Sequence, residues 1–184
     1  MDEQQAILCL KQGDISGLEV LAVLYQAKAV RTAYLITGDA ALAEDVAQEA
    51  FLHVYRSIRH FDDSRPFGPW FISSVVHAAV KTAQKTWRQV SSNSPERTLE
   101  ELFTDRTSVE DQVETTEFRN QVWSALQALP PRERAVVVQR YFLEMSEKEM
   151  AAEMETAPGT VKWLLHVARK RLRSMLSERT QNER

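Results

Sequence analysis

The 184-residue sequence has little cysteine, glycine or proline. Its single cysteine, Cys9, excludes an internal disulfide and, with only four scattered histidines, argues against a structural zinc or iron–sulfur site. Five glycines and six prolines favour long helices with few tight turns. The longest apolar run has six residues, Val20 to Tyr25, which is too short to span a bilayer, so no membrane insertion is expected.

The sequence also lacks the motifs of common catalytic sites. It has no glycine-rich phosphate loop, no His-Glu-x-x-His metal pair and no serine in a nucleophile elbow. The adjacent carboxylates Asp62 and Asp63 are interpreted as turn charges rather than as an acid/base pair. Because the chain starts with acidic and polar residues, we expect no secretory signal. We therefore expect no catalytic residues, no enzyme activity, no cofactor, no metal and a cytoplasmic location.

Charge is distributed unevenly, although the formal net charge is only −3. Residues 91–117 carry eight acidic and two basic groups, whereas residues 118–184 carry twelve basic and eight acidic groups. The acidic segment opens with the turn-forming cluster Ser91 to Glu96 and is interpreted as a flexible linker between two modules, residues 1–90 and 118–184. Bulk charge alone is not expected to hold such a chain on DNA.

Both modules show apolar residues at helical spacing, and no alternating strand pattern stands out. In the first module, one helix is predicted from about Ser16, as N-cap, to Thr37, with Gly38 at its end. Asp39 is predicted to cap a second helix, which reaches Ile58. A third helix is predicted from about Trp70 to Arg88. The buried stripe of the second helix is predicted to be Ala43, Val46, Ala47, Ala50, Phe51, Val54, Tyr55 and Ile58, and that of the third Ile72, Val76, Ala79, Val80, Ala83 and Trp87.

The second module is predicted to contain four helices. The first runs from near Ser108 or Asp111 to Leu129, and the second from Arg132 to Phe142 behind the proline pair. Ser146 and Glu149 form a capping box that opens a short helix to about Glu155. A long helix follows from about Thr160. The predicted fold class is therefore all-α, with two small helical domains joined by the acidic linker.

Three helix faces are candidate binding surfaces. The helix after Asp39 exposes a leucine within a polar face, which suits a partner surface; the alternative, which the residues alone favour, is a solvated face with one stray leucine. The helix from Trp70 carries no carboxylate, which favours a phosphate-bearing ligand, with a lysine-bearing solvent face as the alternative. Glu147 to Glu155 and the basic helix from Thr160 form a helix-turn-helix pattern, with Ala151 or Ala152 at the crossing; two simply packed helices are the alternative.

Four motifs in order and at matching spacing resemble the extracytoplasmic-function (ECF) sigma factors of bacterial RNA polymerase. Ala43–Leu52 is similar to region 2.2 of that family, and Arg65–Phe71 to regions 2.3 and 2.4. Leu129–Val136 and Gly159–Lys162 are similar to region 4. The resemblance implies a sigma region 2 bundle in residues 1–90 and a region 4 helix-turn-helix in residues 118–184.

The resemblance also implies partners and site residues. The partners are core RNA polymerase, through its largest and second-largest catalytic subunits, promoter DNA, and an anti-sigma factor that can hold the protein at the membrane. The residues implied to contact polymerase are Asp45, Gln48, Glu49, Leu52 and Arg56. Those implied to read and melt the −10 element are Phe61, Asp62, Asp63, Ser64, Arg65, Phe67, Trp70, Ser73, Ser74, His77 and Lys81. Those implied to read the −35 element are Thr160, Lys162, Trp163, His166, Arg169, Lys170 and Arg173.

The chain departs from the family pattern at several positions of the helix-turn-helix. Trp163 and Leu164 stand where the family commonly has Ser and Arg, and Glu155 stands where it often has a turn glycine. A glutamate costs about 1 kcal/mol there if the position is left-handed. The departures leave a second hypothesis open, that of a sigma mimic that sequesters an anti-sigma factor without supporting transcription. A free-standing helix-turn-helix regulator fits the region 2.2 motif less well.

Overall fold

The computed structural model describes residues 1–90 and 109–182 of the chain, and the side chains of residues 1–89 and 116–177. This part of the chain is helical and contains no strand, which confirms the all-α class. Two compact units are present, Met1–Ala83 and Gln84–Arg184. The helices are α1 (Glu3–Lys11), α2 (Ser16–Thr37), α3 (Ala40–Ser57), α4 (Phe67–Val90), α5 (Val109–Gln127), α6 (Pro131–Tyr141), α7 (Glu147–Glu153) and α8 (Pro158–Asn182), with a 3-10 turn at Ile58–His60.

Helix α1 was not predicted from the sequence. Asp2 is its N-cap and forms a capping box, in which the Asp2 carboxylate accepts from the Gln5 amide at 2.8 Å and the Asp2 amide donates to the Gln5 side chain at 3.1 Å. The helix buries Ala6, Ile7 and Leu10. The acid–x–x–amide spacing at the start of the chain is the sequence signal for this helix.

Helix α2 lies against α1 at a glycine. A Cβ built on Gly17 would come within 2.2 Å of the Ala6 carbonyl oxygen, so only glycine permits this close approach. The predicted cap at Ser16 was wrong, because Ser16 is the first helical residue and Ile15 occupies the cap position without a side-chain bond. Asp14 instead accepts from the Ser16 amide at 2.9 Å. Gly38 ends the helix in the left-handed conformation, as predicted, with φ 74°.

Helices α3 and α4 complete the core of the first unit. Asp39 caps α3 by accepting from the Leu42 amide at 3.1 Å, as predicted. Most of the predicted stripe of α3 is buried, but Phe51 is only half-buried and Tyr55 is exposed. Helix α4 begins at Phe67, three residues earlier than predicted, since Pro69 in the first turn has no hydrogen bond to lose. Trp87, predicted to be buried, is exposed.

The second unit takes the last residues of α4, from Gln84, and then α5, whose start at Val109 lies within the predicted linker. Residues 91–108 of that predicted linker lie outside the described part of the chain. Helix α6 starts at Pro131, as the proline pair indicated. Arg134 fastens the α5–α6 corner by donating to the carbonyl oxygens of Gln127 and, at 3.0 Å, Leu129. Burial lowers the pKa of Arg134 to about 10, so the guanidinium stays charged at neutral pH.

Helices α6, α7 and α8 share one apolar cluster. It consists of Val136, Met150, Ala151, Val161, Leu164 and Leu165. Ala151 is the small residue at the crossing, whereas the alternative, Ala152, is exposed. The capping box that opens α7 has the predicted partners: the Glu149 amide donates to Ser146 Oγ at 3.2 Å, and the Ser146 amide donates to Glu149 Oε2 at 2.7 Å. Glu155, at the break before α8, has φ 47° and is left-handed.

Candidate functional site

Helix α3 presents one exposed face that contains every residue predicted to bind polymerase. The five side chains follow helical spacing on the side opposite the buried residues Val46, Ala50 and Val54. Leu52, at the centre of this face, keeps 51% of its surface exposed. The arrangement is an apolar side chain surrounded by carboxylates, an amide and a guanidinium. We call this set, Asp45, Gln48, Glu49, Leu52 and Arg56, the α3 face.

An aromatic cluster lies where the 3-10 turn leads into α4. Phe67 is 1% exposed and stacks parallel to Phe71 with ring centroids 5.8 Å apart. Phe61 is also buried, and its ring lies 4.8 Å from the ring of Trp70. Trp70 is half-buried and therefore keeps part of its ring accessible. Of the three aromatics implied to read and melt the −10 element, the two phenylalanines, Phe61 and Phe67, belong to the core in this structure.

The polar residues between these aromatics form a compact turn, Phe61–Arg65, which we call the α4 loop. Asp62 accepts from the Ser64 amide at 3.0 Å, and hydrogen bonds from the Ser64 side chain and backbone lower the pKa of the Asp62 carboxyl. The Arg65 amide donates to the Asp62 carbonyl oxygen at 3.0 Å. Asp62, Asp63, Ser64 and Arg65 are all exposed, although Asp62 already accepts from Ser64 and Asp63 from Lys11.

The outer face of α4 continues from this loop. Ser73 and Ser74 are half-buried, whereas His77 and Lys81 are exposed, and all four lie on the same side of the helix as Trp70. Helix α4 contains no carboxylate along its whole length. A polyanion approaching this face would therefore meet hydroxyls, an imidazole and ammonium groups without repulsion from the helix itself.

Helix α8 exposes a second basic face in the other unit. Lys162, Trp163, His166, Lys170 and Arg173 are exposed opposite the buried stripe, and Trp163 keeps 60% of its surface accessible. Thr160 is exposed in the first turn of the helix. The α7–α8 pair has the layout of a helix-turn-helix, in which the N-terminal part of the second helix reaches base edges in the major groove. The set predicted to read the −35 element thus shares one accessible side of α8, with Thr160 at its start.

Two arginines of α8 are held by neighbours from α6. Arg169 Nε donates to the Tyr141 hydroxyl at 3.0 Å, and its guanidinium lies 5.9 Å from the centre of that ring. Arg171 pairs with the buried Glu133 carboxylate at 2.7 Å. Arg169 is therefore oriented before any ligand arrives, whereas Arg171 is bound to the body of the unit.

Sequence reasoning missed the residues that orient the predicted site. Tyr141 lies 28 positions before Arg169, and Lys11 contacts the α4 loop from 50 positions away. No local spacing or motif connects such distant pairs, so only the packed structure reveals them. Among the residues that the structure describes, no helix has the length and hydropathy needed to cross a membrane, and no cluster of His, Cys, Asp or Glu could hold a metal.

Comparison with known families matches each unit to a part of one protein family. Residues 21–89 match the family described as "Sigma-70 region 2", and residues 119–172 match "Sigma-70, region 4". Over 173 residues the chain is 31% identical to the RNA polymerase sigma-E factor of Streptomyces antibioticus, covering 92% of this chain and 90% of that protein.

The chain belongs to the ECF sigma factors. It is also 27% identical over 175 residues to the ECF RNA polymerase sigma factor SigW of Bacillus subtilis, covering 92% of this chain and 94% of the relative. The family resemblance drawn from the four motifs is therefore confirmed. Proteins of this family direct transcription initiation. The α3 face and the α4 loop lie in the part that matches region 2. The basic set on α8, Thr160, Lys162, Trp163, His166, Arg169, Lys170 and Arg173, which we call the α8 face, lies in the part that matches region 4, except for Arg173 just beyond its end.

Two solved structures share the fold of this sigma factor. CnrH, in complex with the cytosolic domain of CnrY, superposes with a TM-score of 0.64 at 18% identity, covering 96% of this chain and 99% of CnrH. The sigma factor RpoE of Bartonella quintana, in complex with the anti-sigma factor NepR, superposes with a TM-score of 0.62 at 17% identity, covering 85% of this chain and 94% of RpoE. At these identities the likeness concerns the fold alone.

Proposed function

We propose that this sigma factor binds core RNA polymerase through the α3 face and directs it to promoters by contacting the −10 element with the α4 loop and α4. In the same proposal, the α8 face contacts the −35 element. The observation that carries it is the placement of the predicted residues: five lie together on the exposed side of α3, and the basic set lies together on α8. As a non-catalytic initiation factor, the protein supplies binding energy, and polymerase makes the phosphodiester bonds.

The α3 face suits a protein partner better than a nucleic acid. Its carboxylates Asp45 and Glu49 would repel phosphates, whereas an exposed leucine within a polar rim is typical of a protein contact. We assign this face to the coiled coil of the largest polymerase subunit. The acidic linker is assigned to the positively charged RNA channel between the two largest subunits, which would also discourage DNA binding by the free chain.

The α4 loop and the outer face of α4 suit DNA that has been opened. A base that leaves the stack needs an aromatic wall and hydrogen-bond partners, and Trp70 with Asp62, Ser64 and Arg65 supply both at one accessible place. Lys81, about three turns further along α4 than Trp70, would contact the DNA backbone. Phe61 and Phe67 support this surface from below, and a direct contact between either ring and a base requires the loop to move.

The α8 face suits duplex DNA. Thr160 lies in the first turn of α8, where the helix end carries a partial positive charge, and Lys162 begins the next turn. Arg169, held by Tyr141, is oriented for a phosphate or a guanine. Trp163 is assigned a stacking contact with a sugar or a packing contact with polymerase.

We also propose an anti-sigma factor as a regulatory partner and the cytoplasm as the site of action. RpoE, which shares this fold, is held by the anti-sigma factor NepR in its solved structure. An anti-sigma factor anchored in the membrane would keep this protein there until it is released. Co-purification of the tagged chain from its source organism, followed by identification of the bound chains, tests this partner directly.

The DNA contacts are tested with promoter fragments bound by the assembled holoenzyme. Lys162→Ala should weaken binding by about 1–3 kcal/mol if the ammonium contacts a base, or reduce the salt dependence by about one phosphate contact if it contacts the backbone. Lys148→Ala removes a lysine on α7 and is the control. An unchanged affinity and an unchanged salt slope for Lys162→Ala would contradict the proposed role of the α8 face.

A sigma mimic remains the second candidate function, because Trp163 and Leu164 stand where the family commonly has Ser and Arg. A mimic would bind an anti-sigma factor but would yield no transcript with core polymerase. The carboxylate-free outer face of α4 and the oriented Arg169 favour the transcribing sigma factor over the mimic.

A further inference from the structure

Lys11, the last residue of α1, reaches the α4 loop. Its ammonium donates to the Phe61 carbonyl oxygen at 2.8 Å and pairs with Asp63 Oδ2 at 2.7 Å. The same ammonium lies 5.7 Å from the centre of the Phe61 ring. The Lys11 side chain is only 20% exposed, so it is enclosed by these contacts rather than extended into solvent.

The packing of α1 against α2 fixes the position of Lys11. Helix α1 lies against α2 at Gly17, where no side chain fits, and it buries Ala6, Ile7 and Leu10. At its other end the Tyr25 hydroxyl donates to Glu3, and the Tyr25 ring lies 5.4 Å from that of Phe67. Helix α1 therefore contacts the loop and the Phe61 ring through Lys11, and it reaches Phe67 through Tyr25 of α2.

Lys11 also changes the charge of a surface that is assigned to DNA. The α4 loop carries two adjacent carboxylates, Asp62 and Asp63, which would repel nearby phosphates. Pairing with Lys11 offsets the charge of Asp63 and turns that side chain toward α1. Asp62 is bonded to Ser64 within the loop, and the charge of Lys11 acts on it only through space.

We propose that Lys11 is a positioning residue for −10 recognition: it holds the α4 loop in the conformation that captures a base from the opened strand and offsets the charge of Asp63 beside the DNA. The inference rests on the −10 role proposed above for the loop. It assigns α1, which the sequence did not reveal, to promoter opening.

Loop position is tested first without DNA, by hydrogen–deuterium exchange of the full chain. Lys11→Met keeps the aliphatic stem but removes the charge and the donors, and it should raise exchange of the amides of residues 61–65 about fivefold, an effect suited to a partly exposed pair. Lys11→Arg should restore protection. Lys28→Met, on the exposed side of α2, is the matched control and should leave the loop unchanged. Unchanged exchange in Lys11→Met would overturn the proposal.

The function of Lys11 is tested with the holoenzyme on a promoter that is first identified by mapping transcription start sites. The fluorescent base 2-aminopurine is placed at successive positions of the −10 element, where its fluorescence rises when the base leaves the stack. Lys11→Met should bind core polymerase like the wild type but reduce the fluorescence rise about fivefold, and Lys11→Arg should restore it. A full fluorescence rise in Lys11→Met, or a loss of core binding in the same proportion, would overturn the positioning role. A wild-type holoenzyme that assembles but gives no rise would contradict the −10 role itself, and the inference would fall with it.

Discussion

At the scale of single residues, two positions carry a side chain that the fold does not favour: one has a strained backbone, and the other exposes an apolar side chain. Glu155 adopts φ 47° at the break of the helix-turn-helix, where a glycine would carry no penalty. Leu52 exposes half of its surface on α3 although it could be polar at no cost to the core. The strain at Glu155 lowers stability and, within the described part of the chain, no contact of its side chain offsets it. The exposed Leu52 is explained by its proposed contact with a partner protein.

Replacing Glu155 with glycine should stabilise the second unit. The left-handed conformation costs a non-glycine residue about 1 kcal/mol, so Glu155→Gly should raise the free energy of unfolding by about that amount. Chemical denaturation followed by circular dichroism measures the change. Ala152→Gly, at an exposed position inside α7, is the control and should lower stability by about 0.5–1 kcal/mol. A loss of stability in Glu155→Gly would show that the carboxylate compensates for the strain.

Removing the exposed leucine of the α3 face should weaken polymerase binding but preserve the fold. Leu52→Ala removes an apolar contact and should weaken binding to core polymerase by about 1–3 kcal/mol, and Asp45→Lys should weaken it through charge. Titration calorimetry or a competition assay against a labelled sigma factor gives the affinity, and thermal unfolding checks the fold. Glu44→Lys, a charge reversal on the flank of α3, should have a smaller effect. Equal affinities for Leu52→Ala and the wild type would remove the α3 face from the interface.

At the scale of elements, a helix start or end could be predicted from the sequence when the residues that fix it lie within a few positions of each other. The capping box of α7, the Gly38 terminus of α2 and the proline start of α6 depend on neighbours within a few residues, and the structure contains all three. Helix α1 was not predicted, although its signal is also local: Asp2 and Gln5, three residues apart, form its capping box. Ser16 was misplaced because the bend at Asp14, which no periodicity shows, sets the start of α2.

The prediction of the binding surfaces likewise succeeded for local signals and failed for contacts between distant residues. Helical spacing alone was sufficient to group the α3 face and the basic face of α8, since residues on one side of a helix are fixed by its period. Spacing could not separate Phe61 and Phe67, which are buried, from the half-buried Trp70. Nor could it find Lys11 beside Asp63 or Tyr141 beside Arg169, because these pairs form only when distant elements pack.

The capping box of α7 makes the stability of the second unit depend on pH. Hydrogen bonds from the Ser146 side chain and backbone lower the pKa of Glu149 below its ordinary value of 4.5. A carboxyl with a depressed pKa in the folded state stabilises above its unfolded pKa, and that contribution is lost as the pH falls through the folded value. Glu149→Gln should therefore differ most from the wild type above pH 4.5, and the difference should shrink in more acidic solution.

Denaturation curves measured across the acidic range test this behaviour. Glu147→Gln removes a carboxylate from the same helical turn but leaves the capping box in place, so it controls for the loss of charge. A difference between Glu149→Gln and the wild type that stays constant at every pH would contradict the capping role of the carboxylate.

At the scale of the whole molecule, the chain combines two units with different surfaces. The first offers an acidic and apolar α3 face together with a carboxylate-free outer side of α4. The second offers the basic face of α8. With a net charge of −3, the free protein gains little from bulk attraction to DNA. We therefore expect promoter binding from the assembled holoenzyme and not from the free chain.

The most direct measurement is start-site mapping of transcripts made in vitro from sheared genomic DNA of the source organism. Core polymerase is compared with and without the purified chain, and the 5′ ends of the products are sequenced. The account predicts that the chain creates discrete new start sites that share two conserved upstream blocks, one at the −10 and one at the −35 position. A chain that binds core polymerase but leaves the start sites unchanged, or one that does not bind core at all, would contradict it.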